Sequence, residues 1–134
     1  MIPILVDTSV LLDILTDDVE WGAWSSTALE EAAHHSRLAI NVVIYAEVSV
    51  RIPRIEDVDE ALPRDQFLRE QIPFEAAFLA GKAFQLYRRH GGPRLSLLPD
   101  FLIGAHAAVA GYCLLTRDPD RVRTYFPKVG LITP

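Results

Sequence analysis

The chain is 134 residues long, half of them hydrophobic and 23% charged, which suits one globular domain spanning residues 1–134 with a sizeable core. No apolar run approaches the roughly 18 residues of a membrane span, and the start lacks the basic segment and long apolar stretch of a secretory signal, so a cytoplasmic location is expected. The net charge of −5 argues against nucleic-acid binding only as an average: residues 1–63 carry three basic and twelve acidic side chains, net −9, whereas residues 64–134 carry ten and six, net +4.

Residues 2–6, Ile2-Pro3-Ile4-Leu5-Val6, read as a buried strand. Val10, Leu11, Ile14 and Leu15 recur at helical spacing over 8–16, and Asp17-Asp18 offers a cap for a second helix from about 19 to 34. A short strand follows at 37–40. Asn41 can cap a third helix through about residue 50, which Pro53 brings to a stop. Residues 54–73 give no single element; their acidic run, Glu56-Asp57-Val58-Asp59-Glu60, is expected as a solvated helix face. The spacing of Phe74, Ala77, Phe78, Gly81, Phe84 and Tyr87 predicts an amphipathic helix over 74–90, ended by Gly91-Gly92-Pro93. Residues 100–112 are apolar nearly all round and should form a central buried helix, with Gly104, Ala107, Ala108 and Gly111 allowing close approach. A strand at 113–116, a turn at Asp118-Pro119, a short helix and a last strand near 129–132 complete the chain. Alternation of short strands with helices favours a parallel sheet covered on both faces. Cys113 is the only cysteine and cannot form an internal disulfide; in its strand-like run it is expected as a buried, reduced thiol.

Four acids interrupt these apolar stretches. Asp7 ends the first strand, Glu47 lies mid-helix on the stripe of Val43, Ile44 and Val50, Asp100 opens the apolar helix after Pro99, and Asp118 follows the fourth strand. An ionised carboxylate at the edge of a core is costly unless a cation or hydrogen bond meets it. Without these four, 14 acids face 13 bases, so most of the negative excess would sit in one site. In open parallel sheets ligands collect beyond the carboxyl ends of the strands, where Asp7 and Asp118 are expected. Oxygen-only ligation suits a hard cation, Mg²⁺ or Mn²⁺, as one or two ions. Taken singly, each acid also has a structural reading: Asp100 as a helix cap, Asp118 as a turn starter, Asp7 as a loop residue. Periodicity does not establish that the four meet.

The segments Val6-Asp7-Thr8-Ser9-Val10-Leu11, Ala46-Glu47, Pro99-Asp100-Phe101-Leu102-Ile103-Gly104-Ala105-His106-Ala107 and Leu115-Thr116-Arg117-Asp118-Pro119 resemble, in order and spacing, the motifs of PIN-domain ribonucleases, and among them the VapC toxins of bacterial toxin–antitoxin pairs. The resemblance covers essentially the whole chain. It implies a three-layer α/β/α fold with a mainly parallel sheet, metal-dependent endoribonuclease activity, a homodimer, and inhibition by a cognate VapB-like antitoxin. By position, Asp7, Glu47, Asp100 and Asp118 would be the catalytic, metal-binding acids, with Asp120 as an alternative to Asp118. Ser9 and Thr116 would support them, although Ser9 could equally bond a helix start.

RNA binding would call on Arg88, Arg89, Arg94, Arg117, Arg121 and Arg123, whose planar forks suit phosphate; Arg88 and Arg89 could instead complement the carboxyl end of their helix. His106 reads as an interior, hydrogen-bonded histidine rather than a base. Trp21 and Trp24 are expected to cover the core before meeting a partner. The competing reading is a catalytically silent PIN-like module that binds RNA or protein. An aspartyl phosphatase would usually carry a second Asp where Ser9 stands.

Overall fold

The computed structural model describes residues 2–93 and 97–134. Five strands, β1 (Ile4–Val6), β2 (Leu38–Asn41), β3 (Phe67–Glu70), β4 (Cys113–Leu115) and β5 (Leu131–Ile132), form one sheet in the order β3-β2-β1-β4-β5. The pairings are parallel, with Leu5 level with Ala39 and Leu114. Helices α1 (Thr8–Leu15), α2 (Gly22–His35), α3 (Val42–Ser49), α4 (Ile55–Ala61), α5 (Phe74–Arg89), α6 (Leu98–Ala110) and α7 (Asp120–Tyr125) cover it, giving a three-layer α/β/α arrangement. Leu5, Val6, Ala39, Ile40, Leu114 and Leu115 from the central strands are almost wholly buried against Val10, Ile44, Val48, Phe101 and Ile103 from the helices. No helix among the described residues is long and apolar enough to cross a membrane.

Local chemistry sets the element ends. Asp7 accepts from the Thr8 amide at the start of α1, and Asn41 Oδ1 accepts from the Ile44 amide at 3.0 Å to cap α3. Asp18 accepts from the amides of Glu20 and Trp21, so the chain turns there and α2 begins at Gly22, three residues later than its expected start. Gly111, at φ 72°, closes α6 in the left-handed region; no atom lies within 4 Å of a β-carbon built on it, so it stops the helix rather than easing a close approach.

Several expectations are corrected. Cys113 is exposed, because a three-residue β4 leaves its first side chain at the rim, over Gly130. Helix α5 buries Ala76, Ala80 and Ala83, not the stripe through Phe74, Ala77, Phe78 and Gly81; Phe74 is 92% exposed and Phe78 68%. Small side chains win that face because α5 packs closely along α6, while Phe84 and Tyr87 reach the core edge and meet Phe101 edge-on and tilted. The acidic run, by contrast, is the solvated helix face that was expected: it lies on α4, which is buried only at Val58. Strand β3 has no counterpart in the sequence reading: it is an edge strand of four residues, two of them charged, too short and too polar for a strand period to show.

Gly104 of α6 faces Phe126, and a β-carbon there would lie 2.7 Å from two ring carbons. Gly104→Ala should therefore lower the thermal midpoint by several degrees, since overpacking costs about 1–3 kcal/mol. Gly81→Ala, on the open side of α5, should raise the midpoint by a few degrees, the equivalent of about 0.5–1 kcal/mol of helix propensity. Thermal unfolding of the two variants beside the native chain checks both signs.

Candidate functional site

The strand order reverses direction between β1 and β4, and the chain leaves both strands there into separate loops. Such a reversal opens a crevice at the carboxyl edge of a parallel sheet. A cleft of about 660 Å³ occupies this place, lined by Asp7 after β1, Glu47 of α3, Asp100 of α6, and Asp118 and Asp120 around the start of α7, with Arg117 and Arg121 among the basic groups. The structure thus brings the four acids singled out in the sequence to one cleft. Glu47 does so from the half-exposed side of α3: the buried positions are Ile44 and Val48, whereas Val50, expected on the same core stripe, faces solvent.

Asp7 is the most constrained of the four. Its Oδ1 accepts from the Thr8 amide at 2.8 Å, and its Oδ2 accepts from Thr116 Oγ1 at 2.7 Å and Ser9 Oγ at 3.2 Å. Burial still pushes its carboxyl above the usual carboxylate range, the hydrogen bond from Thr116 opposes that, and the charge of Asp100 adds to it. Glu47 is raised by burial, held back by the hydroxyl of Thr8, which donates to Oε1 at 2.7 Å, and raised again by Asp7. Asp100 is raised by burial and by Glu47 and Asp118, and lowered by Arg121, whose Nη1 lies 2.8 Å from Oδ2. The acids therefore repel one another across the cleft.

Thr116, wholly buried, accepts from the Asp118 amide at 3.0 Å while donating to Asp7, so one hydroxyl ties the ends of β1 and β4 together. Asn41 Nδ2 donates to His106 Nδ1 at 3.0 Å, joining the cap of α3 to α6. His106 is buried, and burial pulls its pKa below the ordinary histidine value. Because Asn41 presents its amide to Nδ1, the ring proton sits on Nε2, and His106 is an interior structural histidine.

Among the six arginine candidates, Arg117 and Arg121 line the cleft. Arg123 pairs with Asp120 at 3.9 Å, and Arg88 and Arg89 stand exposed in the last turn of α5, where they complement its carboxyl end. Arg94 lies outside the described residues. Trp24 packs against the core, and the ring of Trp21 lies 5.8 Å from the guanidinium of Arg117.

Thr8 and Asp13 were not legible as site residues. Asp13 is buried in α1 and accepts from Ser25 Oγ at 2.7 Å and from Arg117 Nε and Nη2 at 2.8 and 3.1 Å. The one signal that could have found it is a charged residue beside the apolar stripe of α1.

The donor set fits a hard divalent cation: carboxylate oxygens line the cleft, and neither histidine nor cysteine does. As placed, no three acidic, histidine or cysteine side chains among the described residues converge to hold an ion; Asp100 is engaged by Arg121 and Glu47 by Thr8.

A PIN-domain family model matches residues 4–127, and the chain belongs to the PIN-domain family. A chain of VapBC-1 from nontypeable Haemophilus influenzae is similar in fold, with a TM-score of 0.72 at 15% identity over 98% of this chain and 97% of that one. A chain of VapBC2 from Rickettsia felis, bound to a DNA fragment from its promoter, gives 0.71 at 16% identity over 98% of each. A toxin–antitoxin complex from Klebsiella pneumoniae gives 0.65 at 23% identity over 97% and 96%. At these identities the likeness is one of fold. No curated protein matches the sequence significantly.

Since burial raises the carboxyl of Asp7, the folded chain binds that proton more tightly than the unfolded chain does. Its contribution to stability is present below the unfolded value and is lost as pH rises through the folded one. Asp7→Asn keeps the capping oxygen, and the hydroxyls of Ser9 and Thr116 can turn to accept. Without divalent ions the variant should melt a few degrees above the native chain at pH 7, with the gap closing as the buffer is taken toward pH 4. A variant less stable at pH 7 would contradict this reading of the site.

Proposed function

We propose that this PIN domain, residues 1–134, is a divalent-metal-dependent endoribonuclease of the VapC toxin type. The observation that carries this reading is the arrival of Asp7, Glu47, Asp100 and Asp118, from four separate segments, at one cleft at the reversal point of the sheet. Those four would hold one or two Mg²⁺ or Mn²⁺ ions, with Asp120 as the alternative to Asp118. When bound, such an ion supplies a water molecule of lowered pKa and neutralises charge on the phosphoryl oxygens of an RNA phosphodiester.

The protein's own groups do the rest. Ser9, Thr116 and the Thr8 amide hold Asp7 in one orientation, and the Thr8 hydroxyl orients Glu47. Asp100 must give up Arg121 to serve as a ligand, and Arg121 then becomes free to meet phosphate. No side chain is needed as nucleophile, which is consistent with an interior His106.

The fold neighbours are toxin–antitoxin complexes, which supports a VapB-like antitoxin as partner; a homodimer as the assembly and the cytoplasm as the location belong to the same proposal on the family resemblance alone. The exposed apolar side chains Phe74 and Phe78 of α5, Val42 at the start of α3 and Val50 just past its end are surfaces on which protein partners could close. The second reading, a silent RNA- or protein-binding module, draws its support from the Arg121–Asp100 pair, which neutralises one of the acids.

Incubation of the purified chain with a mixed RNA pool decides between them. The native chain should cut in magnesium and stop on chelation. Asp7→Asn should lose at least about 100-fold, the several kcal/mol that metal assistance supplies. Thr116→Val, which removes support rather than a ligand, should lose about 10- to 100-fold. Equal cleavage by Asp7→Asn and native protein would remove the acids from catalysis, and no cleavage by either would leave the silent module.

A further inference from the structure

Arg117 is held more tightly than a surface arginine needs to be. Its Nε and Nη2 donate to the two oxygens of Asp13 at 2.8 and 3.1 Å, its backbone amide donates to Ser9 Oγ at 3.2 Å, and its guanidinium lies 5.8 Å from the ring centre of Trp21. Asp13 itself is only 3% exposed, and its third hydrogen bond comes from Ser25, which is fully buried. A buried ion pair is seldom the most stabilising way to join two elements, because desolvation offsets most of the attraction. What the bidentate fork does provide is orientation. With two nitrogens committed, Nη1 remains, and its contact is a long one of 3.4 Å to the well-exposed Asp118 at the mouth of the cleft. Ser9 also donates to Asp7 Oδ2, so the arginine backbone is fixed to the same hydroxyl that fixes the first acid.

We propose that Asp13 is a positioning residue that clamps Arg117 edge-on, so that Nη1 meets a backbone phosphate of the RNA strand lying in the acidic cleft. The inference rests on the ribonuclease reading for the identity of the polyanion. It adds a determinant of where the strand sits: Arg117 fixes one phosphate at a set place relative to Asp7, and Asp13 fixes Arg117.

Bulk electrostatics makes the opposite prediction for Asp13, which makes the test sharp. Removing a negative charge beside a polyanion site should by itself tighten binding. On an Asp7→Asn background, which keeps the RNA intact, the affinity of a labelled single-stranded RNA is followed by fluorescence anisotropy across a range of salt concentrations. Arg117→Met should weaken binding about tenfold and lower the salt slope by roughly 0.7, the loss of one single-strand phosphate contact. Asp13→Asn should also weaken it, by about three- to tenfold, and should weaken it no further on the Arg117→Met background. Ser25→Ala removes a bond to Asp13 without touching the arginine, so it should lower the thermal midpoint and leave RNA affinity within about twofold.

Asp13→Asn binding as tightly as its parent or tighter overturns the proposal, as do equal losses from Ser25→Ala and Asp13→Asn, additive losses in the double variant, or no RNA binding at all. The magnesium-dependent cleavage assay is separate: a chain that binds RNA with this pattern but never cuts it fails the nuclease reading and keeps the clamp.

Discussion

A carboxylate that the fold cannot leave alone organises this molecule. Asp7 stands where β1 runs out, partly buried, with three donors on its two oxygens and a second carboxylate, that of Asp100, close enough to raise its pKa. Three neutral donors orient such a charge but do not cancel it. The same condition recurs at Glu47, raised by burial and by Asp7, and at Asp100, raised by burial and by Glu47 and Asp118. A cation would relieve it, and of the two arginines that line the cleft among the described residues one is committed chiefly to Asp13 and the other to Asp100.

The surrounding architecture keeps these charges in place. Thr116 bridges the ends of β1 and β4. Asn41 caps α3, which carries Glu47, and reaches across to His106 on α6, which carries Asp100. Tyr112 donates to Glu70 at the end of β3, and its ring lies 5.9 Å from that of His106, so polar contacts run from the edge strand to the central helix. Each contact fixes the approach angle of an element bearing an acid. The placing of the acids is thereby set by these supporting contacts as much as by the strands and helices that carry them.

Much of this was legible beforehand, and the failures have physical causes. The central strands and the cap at Asn41 show because buried parallel strands are continuous apolar runs and caps have strong residue preferences; Asp7, read as a loop residue, caps α1 as well. The four acids stood out as charges inside apolar stretches, and their order carried the family resemblance. Their meeting in a single cleft depends on the strand order, which periodicity does not encode. β3 escaped because an edge strand half composed of Arg69 and Glu70 has no apolar signature. On α5 the aromatic side chains outweighed alanine in any hydrophobic tally, yet Ala76, Ala80 and Ala83 are the buried face because closeness to α6, rather than size, decides that packing. Asp13 had no place in the sequence reading, since its partner, Arg117, stands 104 residues away and no local pattern joins the two.

The most direct measurement is anomalous diffraction from a crystal of the full chain soaked in manganese. The expected result is a peak at about 2.1 Å from an Asp7 oxygen and at least one oxygen of Glu47, Asp100, Asp118 or Asp120, with Arg121 moved off Asp100. A crystal that takes up manganese only elsewhere, leaving the Arg121–Asp100 pair intact, would contradict the proposed metal centre at its root.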